Sequence, residues 1–375
     1  MAEDFTDEFA DADLKDLRRN RRLGKVVAAM AKAPAASISA AGGGWGETMG
    51  ALRLLNCGAV TPGALLAPHR QAVAERCAGH ACVVVSQDTT EFDYSRMTEM
   101  TGRGPLNSEG SRAEWIIRAN QDRALAGVAD GEASKLFAAL EAAPVLGEIE
   151  FAVCARKGSK KVKGNRVATF RSARTVRQVV RAMKITPRSP GRKGGKLPEV
   201  SFWAVLAEET DPPAGEEPLR WLLLTSKEVK TLEDARRIIN LYLRRWDIEV
   251  FHRVLKTGCR VERIQLKSGQ AVVNALMIYA VTAWRILYLT NLGRQCPHLP
   301  CGCVFEEAEW KGACAVVKRK PDAGEPSLSE FIGIVGKLGG HLGRKGDGPP
   351  GPQSVWQGLT RVRDFALAWQ ACHGG

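Results

Sequence analysis

The distribution of charge along the chain is the feature that most limits how it can fold. Residues 152–198 contain fifteen Lys or Arg and no Asp or Glu. The whole chain has 54 Lys and Arg against 41 Asp and Glu, so the other residues carry 39 against 41 and sum to −2. Turns rich in Gly, Ser and Lys interrupt the segment, a pattern that predicts hairpins with extended basic loops. Because the positive excess is local, it indicates contact with a polyanion and not a generally basic surface.

Length and composition exclude several classes of protein. The chain has 375 residues, enough for two or three domains, and its 45% hydrophobic and 25% charged residues exclude wholesale disorder. Ten cysteines without a CxxC pair do not indicate a disulfide scaffold, and the acidic first residues lack the blocks of a signal peptide. The apolar run at 271–289 is interrupted by Asn274, Thr282 and Arg285, which favours a buried helix over a membrane span. We therefore expect a cytoplasmic protein with no membrane partner.

The first 78 residues predict a small helical domain. Residues 14–33, 47–56 and 64–77 have helical patterns, and the small residues that end in three glycines at 42–44 predict a loop. The first helix carries a basic face made by Lys15, Arg18, Arg19, Arg21, Arg22 and Lys25. Two alternatives stay open for this face, a solvated surface and a contact with DNA.

A change from helical to strand patterns follows this domain. Residues 81–86 form a short apolar, β-branched run that predicts a buried strand, and Asp88 comes directly after it. A carboxylate at the carboxyl end of a buried strand stands where α/β sheets place their ligands. Further strands are predicted at 115–119, 201–206 and 220–226.

One predicted helix, at residues 231–257, carries an unusual set of polar side chains, and a second helix follows at 268–292. At about 100° per residue, Tyr242, Arg245, Glu249 and Lys256 fall within one arc of about 60°. The first alternative is a solvated face with salt bridges between successive turns. The second is a metal-binding carboxylate, Glu249, between two phosphate-binding cations, as two-metal phosphoryl transfer requires.

The spacing Tyr-x2-Arg-x3-Glu-x6-Lys is the YREK signature, and with it the chain resembles the DDE transposases of bacterial insertion sequences. Within them it is most similar to the IS-four family and its Tn-five-like members. Residues 87–90, 205–216, 221–226 and 338–348 carry further similarity. The resemblance extends over nearly all of residues 10–372.

The resemblance implies an α/β (α+β) protein with a ribonuclease-H-like core, here truncated, and an antiparallel β insertion at about 123–220. It implies a helical DNA-binding domain at 1–78, a catalytic domain at 79–260 and a helical dimerisation domain at 261–375. The apolar residues of 326–370, such as Phe331 and Trp356, predict a surface for self-association. The implied activity is cut-and-paste transposition that depends on Mg²⁺ (or Mn²⁺), with double-stranded transposon ends as partners and a homodimer on the DNA.

The resemblance also implies roles for individual residues. Asp88 and Glu249 would be catalytic and would bind the metal. Trp221 would stack on a flipped base, with a buried aromatic at the start of a strand as the alternative. The set of residues expected to bind DNA or its phosphates is Tyr242, Arg245, Lys256, Arg118, Trp221, Trp246, Lys160, Lys161 and Lys163.

The chain departs from the family pattern between residues 104–107 and the strand that holds Arg118. The family has further strands there and a Cys-Asp-Arg-Glu-Ala-Asp segment with the second catalytic aspartate, whereas residues 108–114 connect the two directly. Asp122 is the nearest aspartate, but it follows a different strand. A catalytically inactive remnant that binds DNA, dimerises or inhibits transposition is therefore the alternative to an active enzyme.

Overall fold

The structure is a computed structural model. It describes residues 5–34, 36–86, 114–119, 121–127, 135–156, 170–189, 191–192, 195–196, 198–319 and 324–373. The chain divides into two compact units. The first unit comprises residues 1–106 and 246–375, and the second comprises residues 107–245.

Helices and short strands follow one another along the described residues. The helices are α1 (Leu17–Lys32), α2 (Ile38–Gly42), α3 (Trp45–Leu55), α4 (Pro62–Ala78), α5 (Leu136–Ala142), α6 (Leu232–Leu243), α7 (Trp246–Arg253), α8 (Gly269–Gln295), α9 (Glu307–Val316), α10 (Leu328–Leu338) and α11 (Pro352–His373). The strands are β1 (Ile116–Arg118), β2 (Val145–Val153), β3 (Arg174–Ile185), β4 (Gly191–Arg192), β5 (Gly195–Lys196), β6 (Phe202–Glu209) and β7 (Arg220–Thr225). A π-helical turn, Val254–Gly258, follows α7.

The amino-terminal helices of the first unit agree with three of the predicted helices and correct one predicted loop. Asp16 caps α1 by accepting a hydrogen bond from the backbone N–H of Arg18, an arrangement that satisfies a free helix-terminal donor. The stretch predicted as a loop contains the short helix α2. Ser37 caps its start, and Gly43 ends it in the left-handed region at φ 72°.

The long helix α8 is the centre of the first unit's hydrophobic core. Among the described helices, it alone is long and apolar enough to cross a membrane by length and composition. Its buried side chains pack with those of α1, α3 and α10 in one cluster, which confirms the predicted buried helix. Asn274 is fully buried, and its Nδ2 donates to the carbonyl oxygens of Leu55 (2.9 Å) and Val60 (3.0 Å).

Helices α10 and α11 also contribute to this core, which corrects the predicted self-association surface. Phe331, Val335 and Trp356 are buried within their own unit. Gly358 of α11 lies so close to the carbonyl of Val335 that a side chain there has no room. The apolar residues of 326–370 are therefore used mainly to pack one chain, because α10 and α11 bury them against each other and against α8.

The second unit is built on a five-stranded antiparallel sheet with the order β1-β7-β6-β3-β2. Helix α6 covers one face, where Ile238 packs with Val180 and Leu223. Helix α5 covers the other face, where Leu140 packs with Leu206. The strands predicted at 115–119, 201–206 and 220–226 are confirmed, and so is the hairpin within the basic segment, formed by β2 and β3.

Two predicted elements differ from the structure. Residues 81–86 are not a strand, and their side chains are mostly exposed, with Val85 at 77%. A buried strand needs hydrogen-bonded neighbours, and no described strand pairs with this segment. The helix predicted at 231–257 is interrupted, because the N–H groups of Arg244 and Arg245 bond three residues back, to Leu241 and Tyr242. The predicted arc of about 60°, which assumed an unbroken helix, therefore does not hold.

Candidate functional site

Helix α1 presents a basic face opposite its buried side. Leu23 and Val27 are buried, whereas Arg18, Arg21 and Lys25 are exposed. At about 100° per residue these three cations share an arc of about 60°. The helix therefore carries its exposed cations in one row, as contact with a phosphate backbone requires.

Arg22, next to this row, connects α1 to α3. Its Nη1 forms an ion pair with Glu47, and Lys25 Nζ lies 3.5 Å from the same carboxylate. Gly50 makes the contact possible, since a Cβ at that position would lie 2.5 Å from Cζ of Arg22. Arg22 therefore supports the helix pair.

Arg118 and Trp221 lie on neighbouring strands of the second unit. Arg118 of β1 is exposed, and its Nη2 donates to the carbonyl oxygen of Arg220 at 3.3 Å. Trp221 of β7 is half-buried and stacks on Phe151, with ring centroids 5.3 Å apart and planes at 16°. This stacking is the geometry of the alternative, an aromatic packed at the start of a strand.

Tyr242 and Arg245 stand at the carboxyl end of the second unit. Tyr242 packs at the margin of the core between α6 and the sheet. The guanidinium carbon of Arg245 lies 5.7 Å from the centroid of the Tyr242 ring, within the range of a cation–π contact. The structure therefore brings these two signature residues together.

Glu249, Lys256 and Trp246 belong to the first unit. Glu249 is half-buried on α7, and Trp246 at the start of that helix is 61% exposed. Lys256 lies in the π-helical turn, and its Nζ is 3.7 Å from Oε1 of Glu262.

The π-helical turn is closed by the N–H of Cys259, which donates to the carbonyl of Val254 at 2.8 Å. Trp356 packs against it so closely that a Cβ on Gly258 would lie 3.0 Å from the indole. Turns of this kind occur frequently at functional sites. The sequence pattern gave no indication of this turn, since helical periodicity continues through it.

Several predicted site residues lie outside the described residues, namely Asp88, Lys160, Lys161 and Lys163. The carboxylate of Glu249 is a suitable oxygen ligand for Mg²⁺. The described part of the chain contains no group of three or more His, Cys, Asp or Glu that could hold a metal. Glu249 alone does not form a two-metal centre, so the described residues do not fit that group by themselves.

The sequence analysis missed the acidic partners of the basic segment. Arg174 of β3 pairs with Glu209 of β6 at 2.7 Å and with Glu216 at 2.6 Å. On the exposed side of β3, Arg177 lies 3.7 Å from Glu148 of β2. The segment is therefore compensated in part by acids from its neighbours. The only signal for this in the sequence was the presence of acidic residues in the adjacent strand patterns.

These ion pairs also perturb the acids involved. The hydrogen bond from Arg174 holds the pKa of Glu209 below its usual value despite burial. Hydrogen bonding by Ser172, together with Arg174, lowers the pKa of Glu216 in the same way. The charges of this cluster therefore stabilise the sheet and are not available to a ligand.

Comparison with protein families matches three parts of the chain. Residues 1–60 match the transposase DNA-binding family, residues 109–285 the transposase DDE domain, and residues 281–371 the transposase Tn5 dimerisation domain. The basic face of α1 lies in the first match, Glu249 and Lys256 in the second, and α10 and α11 in the third.

The three matches follow one another in the order of the predicted DNA-binding, catalytic and dimerisation functions. Together with the antiparallel sheet between two helical parts, the match to the DDE domain confirms the predicted α+β fold class. DDE transposases use a divalent metal. The chain carries the domains of a DNA transposase and belongs to the Tn5-like DDE transposases.

Proposed function

We propose that this protein binds double-stranded transposon ends as a homodimer, for cut-and-paste transposition by two-metal phosphoryl transfer. The observation that carries the proposal is the exposed row of Arg18, Arg21 and Lys25 on α1, within the segment matched to the transposase DNA-binding family. A row of cations on one helix face is suited to the regular spacing of backbone phosphates. The match of residues 281–371 to a dimerisation domain supports the second chain.

The proposal assigns three domains, at 1–78, 79–260 and 261–375, and a cytoplasmic location, on the nucleoid when DNA is bound. Asp88 and Glu249 are the proposed ligands of Mg²⁺ or Mn²⁺. The proposed DNA contacts of the catalytic domain are Arg118, Lys160, Lys161, Lys163, Trp221, Tyr242, Arg245, Trp246 and Lys256. Support comes from the match of 109–285 to the DDE domain, which contains all of them.

The test is binding of a fluorescent duplex that carries the terminal inverted repeat flanking the reading frame. With about six phosphate contacts, the logarithm of the binding constant falls against that of salt with a slope of about −5. The double variant Arg18→Gln, Arg21→Gln should lower the steepness by about two contacts, at about 0.9 each. Lys318→Gln, an exposed site on the other side of the matched domains in sequence, is the control with unchanged slope. Binding that hardly depends on salt contradicts the proposal.

A second candidate function is DNA binding and dimerisation without strand cleavage. One observation favours it: the sequence between residues 107 and 118 holds no counterpart of the family's second catalytic aspartate. Such a protein would occupy transposon ends or pair with an intact copy, and so would inhibit transposition. Cleavage assays separate the two functions, because both bind the same DNA.

A further inference from the structure

A cavity of about 250 Å³ lies between α8, α10 and the glycine-rich loop that follows α10. Arg294, Lys337 and His341 supply nitrogen atoms to its wall, and Ser329 adds a hydroxyl. The described residues that line it include no Asp or Glu. The cavity therefore offers several hydrogen-bond donors and a positive charge without an internal counter-ion.

Acidic residues close to this region in sequence have other partners. Asp347 accepts a hydrogen bond from the backbone N–H of Arg344 at 2.8 Å and so closes the turn of the loop. Glu330 pairs with Arg319 at 2.8 Å. Both carboxylates are thus engaged in structural contacts, which leaves the charge of the cavity wall available for a ligand.

The walls of the cavity are held in place by close packing. Gly293 of α8 lies against Ile332 of α10, where a Cβ on the glycine would be 3.0 Å from the isoleucine side chain. At the end of the loop, Nη2 of Arg294 donates to the carbonyl oxygen of Pro350 at 2.9 Å. At its beginning, the N–H of His341 donates to the carbonyl of Gly336 at 2.8 Å. The loop is therefore fixed at both ends.

Lys337 and His341 converge on the same point of the loop. A Cβ placed on Gly343 would lie 3.8 Å from Cε of Lys337 and 3.9 Å from Cδ2 of His341. Gly343 has φ 61°, a left-handed conformation that a side chain would strain. The glycine therefore keeps the space beside both side chains open.

We propose that this cavity binds a phosphate of the DNA backbone, which gives the part of the chain matched to the dimerisation domain a DNA contact of its own. The inference rests on the proposed DNA-binding function. Lysine and arginine are the usual partners of backbone phosphates. Ser329, Lys337 and Gly343 are exposed, so the cavity opens to solvent and admits a phosphate within a continuous strand.

The experiment compares two charge-removing variants of the full-length protein in the end-binding assay. Lys337→Gln removes a cation of the cavity, and Lys345→Gln removes one in the same loop that does not line it. We expect Lys337→Gln to weaken binding about fivefold and to lower the salt slope by about 0.9, the value for one phosphate contact. The control should keep the wild-type slope. Both lysines are exposed, and thermal unfolding checks that both variants are folded.

A second measurement uses inorganic phosphate as the probe, with the NMR signals of His341 and Gly343 as the readout. Phosphate should shift these signals in the wild type and not in Lys337→Gln. Equal shifts in both proteins, or equal salt slopes in both variants, overturn the inference but leave DNA binding by α1 intact. A dimer weakened by Lys337→Gln without DNA overturns it too, since the cavity would then serve the partner chain. Failure of the wild type to bind end DNA contradicts the proposed function itself.

Discussion

Arg174 of β3 and Glu209 of β6 form an ion pair inside the second unit, with Nε 2.7 Å and Nη2 2.9 Å from the two carboxylate oxygens. The side chain of Glu209 is only 2% exposed. The N–H of Leu219, just before β7, donates to the same carboxylate at 2.8 Å. One buried carboxylate therefore connects three successive strands of the sheet's sequence.

Arg174→Leu should destabilise the second unit strongly. The variant leaves the carboxylate of Glu209 buried without its cation, and an unpaired buried charge is far more costly than a lost surface pair. Arg177→Leu on the same strand is the control, because the pair of Arg177 with Glu148 is exposed and such pairs contribute about 0–1 kcal/mol. Urea unfolding followed by tryptophan fluorescence measures both. Equal midpoints for the two variants would show that the buried pair has no special role.

Stability should also depend on pH through Glu209. Its pKa is below the ordinary value of 4.5 because Arg174 donates to the charged form. A lowered pKa means that the stabilisation is complete above the ordinary value and is lost as the pH falls through the lower, folded value. Urea midpoints between pH 6 and pH 3 should therefore decline at the acidic end. The decline should be smaller in Glu209→Gln, and an unchanged profile in that variant would contradict this assignment.

The sequence predicted the elements whose partners do not matter for their identification. The long apolar run of α8 and the apolar strand at β7 were placed correctly because each buries side chains at its own characteristic period. Residues 81–86 have an equally apolar pattern, but a strand exists only with a hydrogen-bonded neighbour, which no local pattern reveals.

The site was predicted less completely for a related reason. The break between Tyr242 and Glu249 depends on two three-residue hydrogen bonds that helical periodicity does not signal. The partner of Arg174 lies 35 residues away in sequence and is set by strand register. The signature residues themselves were recognisable, since their chemical types and spacing are local.

Asn274 should be one of the most sensitive positions in the first unit. It is fully buried and donates to two backbone carbonyls, which would otherwise have no partner from its side chain. Asn274→Ala should lower the free energy of unfolding by about 2–4 kcal/mol, because buried acceptors are left unsatisfied. Val273→Ala, on the partly exposed side of the same helix, should cost less than about 1 kcal/mol. Thermal and urea unfolding compare the two, and similar losses would contradict the structural role of the amide.

Assembly on DNA should involve two protein chains. The match of residues 281–371 to a dimerisation domain leads to this expectation, whereas the apolar residues of α10 and α11 are buried within one chain. Sedimentation of the complex with saturating end duplex should give the mass of two chains and two duplexes. Phe331→Ala is the folding control, since it should lower the melting temperature with or without DNA. One chain per duplex at saturation would rule out the proposed homodimer.

The last prediction is that this chain binds transposon ends without cutting or joining them. Two-metal phosphoryl transfer holds its ions about 3.5–4 Å apart, and carboxylates between them offset their repulsion. Asp88 and Glu249 correspond to the first and last ligands of the signature, but no segment of the sequence corresponds to the middle aspartate. A loss of a few kcal/mol in transition-state stabilisation already slows a reaction about a hundredfold or more. We therefore expect cleavage to fall by several orders of magnitude relative to an intact family member.

The measurement is a cleavage assay on a labelled transposon end, first with Mg²⁺ and then with Mn²⁺, at protein concentrations that saturate binding. Saturation matters because it separates lost chemistry from lost affinity. Asp88→Ala and Glu249→Ala are the matched variants, and an intact family member on its own end is the positive control. Nicking that disappears in both variants would contradict the prediction, since it would show that the two carboxylates still support catalysis. In that case Asp122→Ala is the next variant, because Asp122 is the nearest aspartate in sequence to the missing segment. Its carboxylate accepts a hydrogen bond from the N–H of Phe137 at 2.9 Å, so a role in metal binding would require it to leave that contact.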